Sequence, residues 1–312
     1  MSTVLIGLSL LIVGGALDLL WWDQRRTVAP NDAARRAVRH AAYTSAVAVA
    51  CLAGGLLAAV GVESSGVPSG LSSAFGGPGR LLAVLPAAAG ALFIVAHAIG
   101  DLTWPGPQGR QREAELQIRT VSGLAPSGLA RWTWTMGALL VVATVVFGLA
   151  ASGPRTLSRV LEDGHTYTLG SFPGWWFGVP VLICTIVVAL ACGATLRVIA
   201  ARSAVAGMSS DWDRWLRRRS ARRVLRGSQL VACLTLAGMS QFAGTAIHTL
   251  GLGDTQGFYA TSVNHGYVVV GTIISWLALA VLAAGTLVAL VPVRDHAPDP
   301  EAAVPSTERV AP

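Results

Sequence analysis

Lysine is missing from this chain: all 23 basic residues are arginine. A Schiff base of the retinal or pyridoxal kind therefore has no amine to form on. Charge of either sign is scarce. Only 12% of the 312 residues are charged, against about a quarter in a soluble domain, which argues against a water-soluble globule. Cysteine is limited to Cys51, Cys184, Cys192 and Cys233, all inside apolar runs and none in a CxxC pair. They read as small buried hydrophobes, not as disulfide partners or metal ligands. There is no Walker A, no HExxH, no Asn-x-Ser/Thr and no clustered-carboxylate motif. Gly238-Met239-Ser240 with His265 does not make an intramembrane serine protease, because Ser240 lies nearer mid-membrane than His265 does.

Apolar sequence dominates: 53% of residues are hydrophobic and the mean hydropathy is +0.58. A spanning helix needs about 20 mostly apolar residues. Seven runs meet this, at about 3–22, 41–62, 81–101, 132–151, 175–199, 228–250 and 266–290. The first lacks a basic leader and a small-residue cleavage site before Asp23-Gln24-Arg25-Arg26, so it reads as a retained helix and not as a signal peptide. Arg80, Arg155 and Arg159 fall in one set of gaps, and the other 20 of the 23 arginines lie in or beside the alternate set. Cationic connectors stay cytoplasmic during insertion. The fold class expected is thus all-α, a polytopic transmembrane helix bundle of seven spans with the N-terminus outside and the C-terminus cytoplasmic, in a bacterial cytoplasmic membrane. Residues 1–293 form the transmembrane domain, and the Pro-, Ala- and acid-rich 294–312 reads as a disordered cytoplasmic tail.

Ala42, Ala46, Ala50, Gly54 and Ala58 recur every four residues in the second span, a stripe that lets a neighbouring helix approach closely. The segment 152–174 reads as an exterior loop. Residues 202–226 hold eight arginines with two tryptophans and read as a basic amphipathic helix lying on the inner leaflet. Trp212, Trp215, Arg214, Arg217, Arg218, Arg219, Arg222, Arg223 and Arg226 would there contact anionic lipid or a partner protein. The sequence pI near 10 comes with no nucleic-acid motif, so nucleic acid is not an expected partner.

Ionisable groups inside a span are costly and need a partner or a task. Topology sorts them into two layers. The inner layer holds Asp18, His97, Asp101 and Arg197, with His97 and Asp101 four apart on one helical face. It reads as a structural ion cluster, as a proton or cation relay, or as simple exposure to the headgroups. The outer layer holds Gln241, His248, Asn264, His265 and Tyr267, with Asp254 and Tyr259 in the connection between the last two spans. It reads as interfacial hydrogen bonding. Two imidazoles and the Asp254 carboxylate make a transition-metal or haem site, or a ligand site, the alternative. No cofactor is required by any motif.

Two stretches, HAIGDLTWPGPQGRQREAELQIR at His97–Arg119 and TLGSFPGWWFGVPVL at Thr168–Leu182, resemble uncharacterised multi-span integral membrane proteins of actinobacteria. That group is expected to carry a Gly-acid-x-Thr-Trp-Pro stretch after the third helix and an exterior Pro-Gly-aromatic-Val-Pro stretch before the fifth. Gly106 stands where a basic residue is expected between the prolines. The resemblance implies location and architecture and brings no activity. Basic connectors, sparse embedded chemistry and small exterior loops point to an accessory or partner-binding component of a transport or signalling system. A small-molecule or proton-coupled transporter using the inner cluster and a membrane oxidoreductase using the outer histidines are the alternatives.

Overall fold

The computed structural model describes residues 14–15, 29–65, 78–104, 121–161, 164–205, 208–253 and 262–291. Its helices are α1 (Asp32–Ser65), α2 (Pro78–Leu102), the short α3 (Val121–Leu124), α4 (Ser127–Ala150), α5 (Trp175–Ala201), α6 (Ser210–Leu252) and α7 (His265–Leu290). All but α3 are long and apolar enough to cross a membrane, giving six candidate spans among the described residues. The protein is a multi-pass helical membrane protein. The expected first span at 3–22 and the tail at 294–312 lie outside the described residues. Gly14 and Gly15 are helical, and the Gly15 backbone stands against the side chain of Leu290 at the end of α7.

Helices are forced on these runs because hydrocarbon offers no hydrogen-bond partner to a peptide group. Successive helices alternate in direction. His40 of α1 reaches Gly100 of α2, Thr133 of α4 donates to the Leu225 carbonyl of α6, and Arg226 of α6 donates to Val291 just past α7. The starts of α1, α4 and α6 and the ends of α2, α5 and α7 therefore gather at one end of the bundle. Arg35, Arg36, Arg39, Arg131, Arg197, Arg202 and the arginines of 214–226 all belong to that end. Arg80, Arg155 and Arg159 belong to the other.

Three apolar clusters fill the interior. The central one joins Leu52, Phe93, Ile94, Val188, Leu196 and Val231. A second, toward the arginine-poor end, joins Leu140, Phe147, Phe172, Val181 and Leu250. The third lies at the arginine-rich end, where Trp212 and Leu216 pack on Ala34, Ala37, Ala41 and Trp104.

Three expectations are corrected. First, residues 210–226 do not form a separate helix lying on a leaflet. They are the opening turns of α6, which runs unbroken for 43 residues, about 64 Å at 1.5 Å per residue and twice the hydrocarbon thickness of about 30 Å. Its first half projects beyond the hydrocarbon-length segment and is flanked by the start of α1. Trp212, Arg217 and Arg219 are buried there, so they do not form an outward contact face. Arg218 is exposed, and Arg214, Trp215, Arg222, Arg223 and Arg226 are half-buried.

Second, the small-residue stripe of α1 is not its packing face. Ala42 is buried, but Ala50, Gly54 and Ala58 are exposed, and nothing lies within 4 Å of a β-carbon built at Gly54. The face that meets the bundle runs through Ala41, Ser45, Ala48, Leu52 and Leu56. A step of exactly four drifts around a helix of 3.6 residues per turn, so the stripe leaves the contact seam after two turns.

Third, the segment 152–174, expected as a loop, contains an antiparallel hairpin, β1 (Leu157–Val160) and β2 (Thr166–Leu169), with Leu157 opposite Leu169 and Val160 opposite Thr166. Gly164 takes a φ of 82° at its turn, a left-handed conformation that glycine adopts at no steric cost. Alternation turns Leu157 and Arg159 inward and leaves Val160 exposed. Leu157 joins the second apolar cluster, and Arg159 donates to the Ser262 carbonyl at 2.6 Å. The hairpin is thereby fastened across the arginine-poor end.

Candidate functional site

The polar chemistry of the described residues concentrates at the arginine-rich end, where α2 and α5 stop and α6 passes them. Asp101 sits in the last turn of α2. Its Oδ1 accepts from Arg202 Nη1 at 2.7 Å, and the two side chains are only 5% and 1% exposed. The same guanidinium donates to Ser220 of α6 at 3.2 Å and lies over the Trp104 ring, 3.8 Å from its centroid. A desolvated guanidinium gains from an aromatic face while its edge donors remain available. His40 of α1 meets the same indole edge-on and contacts the Gly100 carbonyl oxygen through Nε2 at 2.8 Å.

Arg217 lies one helix over. Its Nε donates to Asp213 Oδ2 at 2.6 Å. Nη1 donates to the carbonyls of Ile199 at 2.9 Å and Ala200 at 2.8 Å, and Nη2 to that of Arg202 at 2.7 Å. These are the final carbonyls of α5, which have no partner within their own helix. A cation at a helix C-terminus also meets the negative end of the macrodipole. Arg217 therefore closes α5 from a neighbouring helix. Arg223 bridges instead to the body of α1, donating to Ser45 Oγ at 2.9 Å and to the mid-helix Ala41 carbonyl at 3.2 Å.

The inner-layer residues are thus distributed as follows. His97 and Asp101 share a face of α2, and both are buried. His97 packs edge-on against Phe93, with ring centroids 4.8 Å apart. Arg197, grouped with them on the sequence, is exposed on α5, and Arg202, five residues on, is the guanidinium that meets Asp101. Turning by 100° per residue, α5 points Arg197 away from α2. Asp18 lies outside the described residues. Arg202 falls just beyond the apolar run 175–199, and the sequence signal for it is a basic residue level with an embedded carboxylate.

The outer layer separates. His265 is the exposed first residue of α7 and His248 is half-buried on α6. A β-carbon built at Gly271 would fall on the His248 backbone, so His248 is level with a residue six positions beyond His265. That offset is about 9 Å along the axis. Asp254 lies outside the described residues. No group of three His, Cys, Asp or Glu side chains among the described residues could hold a metal ion.

A further polar group escaped the sequence reading. Gln229 is fully buried on α6. Its Oε1 accepts from Trp132 Nε1 of α4 at 3.0 Å, and its Nε2 donates to the Gly285 carbonyl of α7 at 2.8 Å. One amide joins three helices. Gly285 permits this, because a β-carbon there would fall 2.5 Å from Cys233 Cβ. A lone amide in an apolar run was the available signal.

Chemically, the arginine-rich end holds and locks. A guanidinium stays protonated at all relevant pH, so Arg202, Arg217 and Arg223 cannot pass a proton along. Donors of all three reach a carboxylate, hydroxyls and backbone carbonyls, which makes this junction an anchor between α1, α2, α5 and α6. No family model, curated protein or solved structure matches the chain.

Proposed function

We propose that this protein is an accessory or partner-binding component of a transport or signalling system, and that it acts by presenting a rigid membrane platform rather than by catalysis. One observation carries this reading. The embedded charges at the arginine-rich end are engaged with one another and with helix ends, while Arg35, Arg36, Arg39 and Arg218 remain exposed on the projecting starts of α1 and α6. An anchored core with a cationic outer surface suits docking of an acidic partner. It suits a relay poorly, because Asp101 is held by Arg202.

The reading includes a bacterial cytoplasmic membrane, seven spans with the run at 3–22 as the first, and the arginine-rich end in the cytoplasm. The positive-inside bias supports that orientation. Reporter fusions at Gly70 and Ser210 are expected to report opposite compartments, and the same compartment for both overturns it. The role itself is tested by affinity purification in mild detergent. A stoichiometric protein partner is expected, weakened when Arg35, Arg36 and Arg218 are replaced by Gln. Purification of the chain alone from its native membrane, or a partner held equally by the variant, counts against it.

A further inference from the structure

Exposed faces of three helices share one pattern. On α1, Arg36, Arg39, Tyr43, Val47, Ala50, Gly54 and Leu57 are all exposed and follow helical spacing. On α4 the exposed series runs Arg131, Thr135, Ala138, Val142, Val146 and Leu149. On α5 it runs Ile183, Ile186, Leu190, Ala194 and Arg197. Each stripe is apolar along the membrane and ends in an exposed arginine, and every one of those arginines is at the same end of the bundle. Aromatic side chains stand beside two of them: Tyr43 is 68% exposed and Trp134 47% exposed. At the other end, Arg80 is stacked on Trp176, Arg159 is turned inward to Ser262, and the exposed Arg155 lies in the connection before β1 and ends no helix stripe.

We infer that Arg39, Arg131 and Arg197 are headgroup sites for anionic phospholipid in the leaflet at the arginine-rich end. Acyl chains lie along the apolar stripes below them, and Tyr43 and Trp134 sit at the glycerol level. A guanidinium suits this because it pairs with a phosphate through two parallel N–H donors and is weakly hydrated. Its three-carbon stem lets the charge reach the headgroups while the helix remains in hydrocarbon. This assigns lipid contact to the perimeter of the bundle and not to the tryptophan- and arginine-rich opening of α6, whose Trp212 and Arg217 are buried. It stands on the bilayer location and not on the accessory role.

Native mass spectrometry of the delipidated full chain, titrated separately with phosphatidylglycerol and phosphatidylcholine, tests it. Each guanidinium–phosphate contact is worth about 1 kcal/mol near the surface, a preference of about fivefold per site. Phosphatidylglycerol is therefore expected to be retained several-fold over phosphatidylcholine. The triple variant Arg39→Gln, Arg131→Gln, Arg197→Gln is expected to bind both nearly equally while remaining monodisperse. Equal retention of the two lipids by the unaltered chain overturns the inference, whether or not the variant folds. So does an anionic preference that survives the triple substitution. Displacement of the lipid by inorganic phosphate alone would make the ligand a free anion, and dependence of an acidic protein but not of lipid on these arginines would make it a docking surface.

Discussion

The two ends of the contact between α6 and its neighbours are built on opposite principles. Toward the arginine-rich end, α6 meets α5 and α2 through long charged side chains. Arg217 spans to the last carbonyls of α5, and Ser220 accepts from Arg202. Toward the other end, glycines of α6 let it approach the backbone of α7 closely. A β-carbon added at Gly244 would fall 2.8 Å from the Gly271 carbonyl oxygen, and one at Gly251 would fall 2.6 Å from Val268 N. The medium explains the difference. Within hydrocarbon, apolar side chains gain nothing by leaving lipid, so helices associate through close backbone approach. Where a helix ends, free carbonyls need donors, and arginine supplies several from a distance. The charged contacts thus fix where α2 and α5 stop, and the glycine contacts fix how near α7 comes.

Removing one charge of the locked end is expected to have the largest effect. Asp101→Ala leaves Arg202 buried beside Ser220 and Trp104 without its carboxylate, and breaking a buried pair from one side costs about 3–5 kcal/mol. Thermal denaturation in detergent is expected to show a large fall in Tm or loss of the monodisperse species. The double change Asp101→Leu with Arg202→Met is expected to recover most of that loss, since paired charges are replaceable by apolar volume. A double variant no more stable than the single one would show that the pair does more than anchor.

At the glycine-lined end, Gly271→Leu forces α7 off the α6 backbone. Overpacking costs about 1–3 kcal/mol, read as a lower Tm with the arginine-rich end intact. Susceptibility of the last connection to protease should rise while that near Arg202 does not. An unchanged Tm would mean that the close approach is incidental. Gln229→Leu sits between the two regions. Interhelical hydrogen bonds in membranes average about 0.6 kcal/mol and reach about 1.7, so a small destabilisation is expected. The emission of Trp132 should shift once its indole N–H loses its acceptor. Smallest of all, Arg197→Gln is expected to change Tm little, because exposed positions vary within about 0.5 kcal/mol. A large loss of stability there would place Arg197 in the lock after all.

Much of the bundle was legible in order. The runs at 41–62, 81–101, 132–151, 175–199, 228–250 and 266–290 each coincide with a helix, since twenty apolar residues in lipid admit few other structures. Among the described residues, the alternation of the arginines matches the two ends of the molecule. Local signals that were present but outweighed account for two of the misses. Asp163-Gly164 is a hairpin signal, but the charged residues around it favour a plain loop on sequence alone. Ser209 is a residue type favoured at helix starts and takes the N-cap position of α6, although its hydroxyl makes no cap hydrogen bond; the density of arginines after it points instead to a surface helix.

The amino-acid sequence alone settled that this chain is a helical, multi-pass membrane protein, because hydrophobic length is a sum along the chain. Which arginine meets Asp101, whether Trp212 faces lipid or protein, and that Gln229 ties three helices were decided only by tertiary structure. Each depends on the rotation of one helix against another, and at 100° per residue a shift of two positions turns a side chain from the interior to the bilayer.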